Sequence, residues 1–163
     1  RRQRQMCIRD SSITGWRLGY IIAPEEIIDR AKKVHDFLTV GCAAPLQEAV
    51  IPGLEFGQDY YDDLLAKYTH KKDLFLKGLD DLHISHNDPE GAYYVLLDIR
   101  EYGYESDLQF CKNLAREVGV GAVPGSSFFR EPVNHLIRLH FAKNDDTLNE
   151  ALNRLEKIQK LKK

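Results

Sequence analysis

The sequence predicts an α/β protein, with helices packed on a small mixed sheet and an α+β arrangement in its C-terminal part. Three observations lead there. Apolar runs of strand length recur at 17–23, 91–99, 120–123 and 136–142. Between them, apolar residues return every three or four positions, the helical period. With 163 residues, 43% of them hydrophobic and 29% charged, the chain has a globular composition and enough length to bury a sizeable core. The resulting order is strand, helices, then strand–helix–strand–strand–helix, with no repeat and no low-complexity segment.

Taken in order, RLGYIIA (17–23) is short, apolar and rich in Ile, hence a strand. Pro24 suits a first helical position and Glu25 and Glu26 suit the positive helix end, opening a helix over 24–39. Its stripe is Ile27, Ile28, Ala31, Val34, Phe37 and Leu38. Gly41 breaks it, another helix starts near Pro45, and Pro52-Gly53 should end or kink that one. Residues 58–82 read as one long helix, with Tyr61, Leu64, Leu65, Tyr68, Leu74 (or Phe75), Gly78 and Leu82 turned inward. Gly78 in mid-helix points to close packing or a bend. After the HNDPEG turn (86–91), the strand at 91–99 is the clearest of the set. Ser106 and Gln109 make a capping box for a helix that ends at Gly119, with Leu108, Cys111, Leu114, Ala115 and Val118 on its buried face. Strands at 120–123 and 136–142 follow. Asn144 caps a last helix with the stripe Leu148, Leu152, Leu155 and Ile158.

A formal charge of −2 provides no general field for nucleic acid or anionic lipid, and the longest clean apolar run, Ala92–Leu97, is far too short to span a bilayer. Three widely spaced cysteines, Cys7, Cys42 and Cys111, make neither a disulfide framework nor a zinc site, and a reducing cytoplasm is the expected compartment. His83 and His86 lack a third ligand nearby, so solvated histidines are expected and no metal. The chain opens at Arg1 and its only methionine is Met6, which points to an incomplete gene product.

Two stretches place arginine where chemistry is possible. In TGWRLGY (14–20), two glycines bracket Arg17 at the mouth of an apolar strand. That fork suits phosphate or carboxylate oxygens, or it is a strand-edge arginine paired with a surface acid. In LIRLHFA (136–142), alternation puts Ile137, Leu139 and Phe141 on one face and Arg138 and His140 on the other, which is either wet or meets an anionic ligand. The run VGVGAVPGSSF (118–128) is not a dinucleotide loop, because Pro124 stands where the third glycine is needed and a helix precedes it.

TGWRLGY, HDFLTVGCAAPLQEA (35–49), GAYYVLLDI (91–99), VGVGAVPGSSF and HLIRLHFA (135–142) together resemble, in colinear order over residues 12–163, the class I/II aminotransferases of the fold-type I group. These enzymes use pyridoxal 5'-phosphate. The resemblance implies the C-terminal part of that fold: 12–55 closing the large cofactor-binding domain, 56–163 forming the small C-terminal domain, and 1–11 a foreign or disordered tail. It implies that Arg17 binds the cofactor phosphate, that Arg138 forks onto the substrate α-carboxylate and that Tyr93 lines the substrate pocket. It further implies an amino acid and a 2-oxo acid as substrates, and a homodimer through the 39–47 segment.

The sequence also departs from that family. The Schiff-base lysine should lie seven residues before Trp16, where Arg9 stands, and the first lysine anywhere is Lys32. An always-protonated guanidinium is no amine nucleophile. The expectation is therefore a fragment without a catalytic residue of its own, inactive in transamination. A lyase or decarboxylase of the same fold, or a non-catalytic module that kept the fold, are the rival readings.

Overall fold

In the computed structural model, the structure describes residues 4–7 and 14–163, so Arg9 and the serines after it lie outside the described residues. The chain divides into two compact units, Arg1–Asp63 and Leu64–Lys163. The expected boundary, between 55 and 56, lies just before the long helix, whereas the units part within it.

In the first unit, β1 (Arg4–Cys7) pairs antiparallel with β2 (Gly19–Ile22), so part of the expected tail 1–11 takes a place in a ladder. A single 3-10 turn, Thr14–Trp16, leads into β2. Helix α1 (Glu25–Thr39) carries Glu25 and Glu26 in its first turn, as dipole complementarity requires. Its apolar stripe is not buried: Val34 is 58% exposed and Phe37 93%. Periodicity identifies the face that would pack, and within the described residues of this unit nothing covers it. Helix α2 (Ala44–Leu54) has Pro45 at its start, and it neither ends nor breaks before Pro52, which stands in its last turn. Helix α3 (Gln58–Asp81) begins in this unit and continues into the next.

The second unit holds the core. Its sheet has the order β3 (Tyr94–Asp98), β5 (Leu136–His140), β4 (Val123–Pro124), and both ladders are antiparallel where a mixed sheet is expected. The strands divided by α4 (Asp107–Asn113), β3 and β4, do run in the same direction, but β5 lies between them and runs opposite to both, so no two neighbours are parallel. Val95, Leu97, Ile137 and Leu139 face inward with Phe141 just beyond, at the predicted alternation. Against them pack Phe75 and Leu79 of α3, Phe110, Cys111 and Leu114, and Leu148 and Leu155 of α5 (Asp145–Leu155). The stripe of α3 departs from expectation at two positions: Leu65 is 67% exposed and Leu79, outside the expected stripe, is buried, while Phe75, the expected alternative to Leu74, is buried.

The helix after Ser106 changes geometry. Seven α-helical residues are followed by one π turn, Leu114–Val118, which ends at Gly119 in the left-handed region with φ 80°. The buried face is Asp107, Phe110, Cys111, Leu114 and Val118, at ordinary three- and four-residue spacing, so Phe110 is fully buried whereas Leu108, expected inward, is 49% exposed. Ser106 Oγ accepts from the Gln109 N–H at 3.3 Å, but the Gln109 side chain donates to Asn113 instead of closing the capping box. Asn144 caps α5 by accepting from the Thr147 N–H at 3.0 Å. Gly78 is a contact point, since a Cβ there would sit 2.3 Å from Leu152 Cδ1. Among the described residues, no helix is long and apolar enough to cross a membrane.

Candidate functional site

The sheet face turned away from the core carries the site. Leu96 and Arg138 are opposite one another across β3 and β5, and Tyr94 is paired with His140 one inward–outward period along. Tyr94 and Arg138 are therefore diagonal neighbours on one face, within reach of long side chains. The Arg138 guanidinium carbon lies 4.2 Å from the centre of the Tyr94 ring. The centre of the Phe128 ring lies 3.7 Å from the same carbon. Phe128 closes the short 3-10 turn Gly125–Phe128 that follows β4.

Two aromatic rings this near one planar cation attract it through their π-systems and limit its orientation, and the guanidinium keeps N–H donors in a fork for an anion. Such a fork matches the two oxygens of a carboxylate, a geometry a lysine ammonium does not offer. The turn is held where it is from two sides. Gly125 is buried against β5 so closely that a Cβ would meet Leu136 O at 2.5 Å. The Ser126 N–H donates to Asp107 Oδ2 at 2.7 Å.

Tyr93, expected in the pocket, stacks on Tyr68 of α3, with ring centres 5.8 Å apart and planes at 21°, and packs against the core. Its ring also meets Tyr94 at 4.6 Å, and it is Tyr94 that touches the guanidinium. Sequence reasoning missed Tyr94 and Phe128. Alternation along β3 was the signal for Tyr94, but Phe128 is brought in by a turn that no periodicity describes. Next to the site, burial first and then Lys143 and Arg138 hold the His140 imidazole below its usual value. His86, expected to be solvated, is half-buried and contacts Asp80 at 3.1 Å. Among the described residues, no group of three His, Cys, Asp or Glu side chains is placed to hold a metal.

Arg17 belongs to the first unit. It sits between the 3-10 turn and β2, exposed, with φ 57° in the left-handed region, while its neighbour Leu18 is buried. A backbone of that kind in a residue other than glycine is costly and concentrates at functional sites. Arg138 and Tyr93 belong to the second unit.

The family model for aminotransferase class I and II matches residues 9–155. The chain belongs to that family. Its match begins within the stretch expected to be a foreign tail. Among curated relatives, the chain is 36% identical over 147 residues to the methionine aminotransferase of Escherichia coli, covering 90% of this chain and 38% of that protein. It is 32% identical over 152 residues to a probable N-succinyldiaminopimelate aminotransferase of Mycobacterium tuberculosis, covering 87% and 38%. The solved structure of N-succinyldiaminopimelate aminotransferase from the latter organism superimposes with a TM-score of 0.80 at 34% identity, over 89% of this chain and 38% of that one. The chain thus spans 38% of the length of the curated relatives it matches. Aminotransferases of this family depend on pyridoxal 5'-phosphate, and the fold class expected from the sequence is the one their structures share.

Proposed function

We propose that this chain is the part of a pyridoxal 5'-phosphate-dependent transaminase that grips the substrate α-carboxylate and the cofactor phosphate. In this reading a longer protein carrying the chain moves an amino group from an amino acid to a 2-oxo acid. The observation that supports it is Arg138, held against the rings of Tyr94 and Phe128 on the sheet face turned away from the core.

The donor chemistry fits two anionic ends. Arg138 orients an α-carboxylate through its N–H donors, and Tyr94, in ring contact with Tyr93, lies against that guanidinium. Arg17, a permanently charged fork on an exposed, left-handed backbone, suits a phosphate. The cofactor, when bound, supplies an electron sink for the carbon that loses its proton. Arg9 does not fit the amine role, because a guanidinium keeps its protons. The chain by itself is therefore proposed to carry no transaminase activity and to need the remainder of the protein. The 39–47 segment is proposed to reach a second copy in a homodimer.

The test is amino-group transfer by the longer protein, with methionine and aspartate as donors and 2-oxoglutarate as acceptor. Arg138→Lys is expected to lower kcat/KM by about 10- to 100-fold, the worth of one charge-assisted hydrogen bond. An unchanged kcat/KM, or release of ammonia or carbon dioxide in place of the 2-oxo acid product, would refute the assignment. Keto-acid production by the pure 163-residue chain would refute its inactivity.

A further inference from the structure

On the reading of Arg138 as a carboxylate-binding group, we propose that Asp107 is its positioning residue, acting through the 125–128 turn and Phe128. Asp107 is the buried charged side chain among the described residues, only 2% exposed. Its carboxylate takes three donors. Oδ2 accepts from the Ser126 N–H at 2.7 Å, and Oδ1 accepts from the Ser126 hydroxyl at 3.1 Å and from the Leu108 N–H at 2.8 Å. A buried carboxylate is retained at such a cost only with its lone pairs occupied, and here two of the three donors belong to the turn that bears Phe128.

The consequence for Arg138 is geometric. Gly125 fixes one end of the turn against Leu136, and Asp107 fixes Ser126 next to it. Between them they hold the chain up to Ser126, two residues before Phe128, whose ring lies 3.7 Å from the guanidinium. Phe128 itself is 48% exposed, so burial does little to hold it. The tether, from the first residue of α4, sets the aromatic clamp, and the clamp sets which way the N–H edges of Arg138 point.

Asp107→Asn tests this at nearly constant volume. An amide offers one oxygen, which can keep the Leu108 N–H and the Ser126 hydroxyl, but its NH2 then faces the Ser126 N–H, donor against donor. In the 163-residue chain labelled with nitrogen-15 arginine, ring currents from Tyr94 and Phe128 are expected to displace the Arg138 Nε–H signal upfield. Asp107→Asn is expected to abolish the part of that displacement that Phe128 supplies, leaving the part from Tyr94, and to weaken the response of this signal to acetate by about tenfold, the size of one charged hydrogen bond. The amides of Val95 and Ile137 in the core ladder should stay put, which a merely structural role for Asp107 would not allow. Ser126→Ala, which removes only the hydroxyl donor, should give an intermediate displacement, and it decides the matter should Asp107→Asn fail to fold. A ring displacement unchanged in either folded variant overturns the proposal. If the wild-type signal ignores acetate while the displacement still shrinks in Asp107→Asn, the carboxylate reading of Arg138 falls and the positioning link stands.

Discussion

Gly125 and Gly78 are both glycines because another element comes too near, yet the two contacts differ in what can yield. At Gly78 the nearest atoms belong to the Leu152 side chain, which can rotate; at Gly125 the nearest is Leu136 O, backbone held in β5. Gly125→Ala is accordingly expected to destabilise the fold by about 1–3 kcal/mol, measured as a lowered urea midpoint. The close packing at Gly78 was legible from a glycine in mid-helix. That at Gly125 was not, because a glycine beside a proline reads equally as an ordinary turn. His140 gives a second expectation. Burial, with Lys143 and Arg138 beside it, lowers its pKa in the folded state, so charging it costs more folded than unfolded. Its share of stability is intact above the ordinary imidazole value of about 6.5 and is lost as the pH falls from there through the folded value. Between pH 7.5 and 5 the wild type should lose more of its urea midpoint than His140→Gln does; equal losses would remove His140 from the account.

Among elements, α4 is the most instructive. Its start was readable from Ser106, whose hydroxyl accepts from the Gln109 N–H. Ser106→Ala is expected to cost about 1 kcal/mol in a denaturant titration, and Gln109→Ala much less, since that side chain does not complete the box. Its buried face was misread in part, because the 3.6-residue period fits two adjacent stripes. Cys111, Leu114 and Val118 are inward as expected, but Asp107 and Phe110 complete the stripe in place of Leu108 and Ala115, and the helix closes on a π turn at Leu114–Val118. No residue type announces a π turn. The strands were simpler: alternation of Ile137, Leu139 and Phe141 with Arg138 and His140 assigned both faces correctly. The pairing direction was not in the pattern, since period-two alternation is the same for parallel and antiparallel neighbours. Helix α1 shows the opposite limit, a stripe that is clear in sequence and exposed in the unit that carries it.

At the scale of the whole molecule, apolar burial is divided very unevenly. The second unit contains the entire core cluster, whereas Leu18 is the buried hydrophobic residue described in the first. Slow amide exchange in the isolated chain is therefore expected in β3, β5 and the inner face of α5, with α1 and α2 exchanging at least about tenfold faster. Uniform protection along the chain would contradict this. The candidate site was legible to the same uneven degree. Arg138 stood out as a cation amid LIRLHFA and Arg17 as an arginine framed by two glycines, but the pattern left each open between a wet or paired arginine and an anion-binding one, and only the resemblance gave them roles. The aromatic contacts and the tether were not legible, since Tyr94 and Phe128 come from separate segments to Arg138 and Asp107 reaches Ser126 from a third.

The left-handed backbone at Arg17 carries an evolutionary corollary. An L-residue held there forfeits about 1–2 kcal/mol that glycine would recover, and asparagine in part. Drift under selection for thermal tolerance alone would erode the arginine, so a lineage that keeps it is being screened for something the guanidinium does.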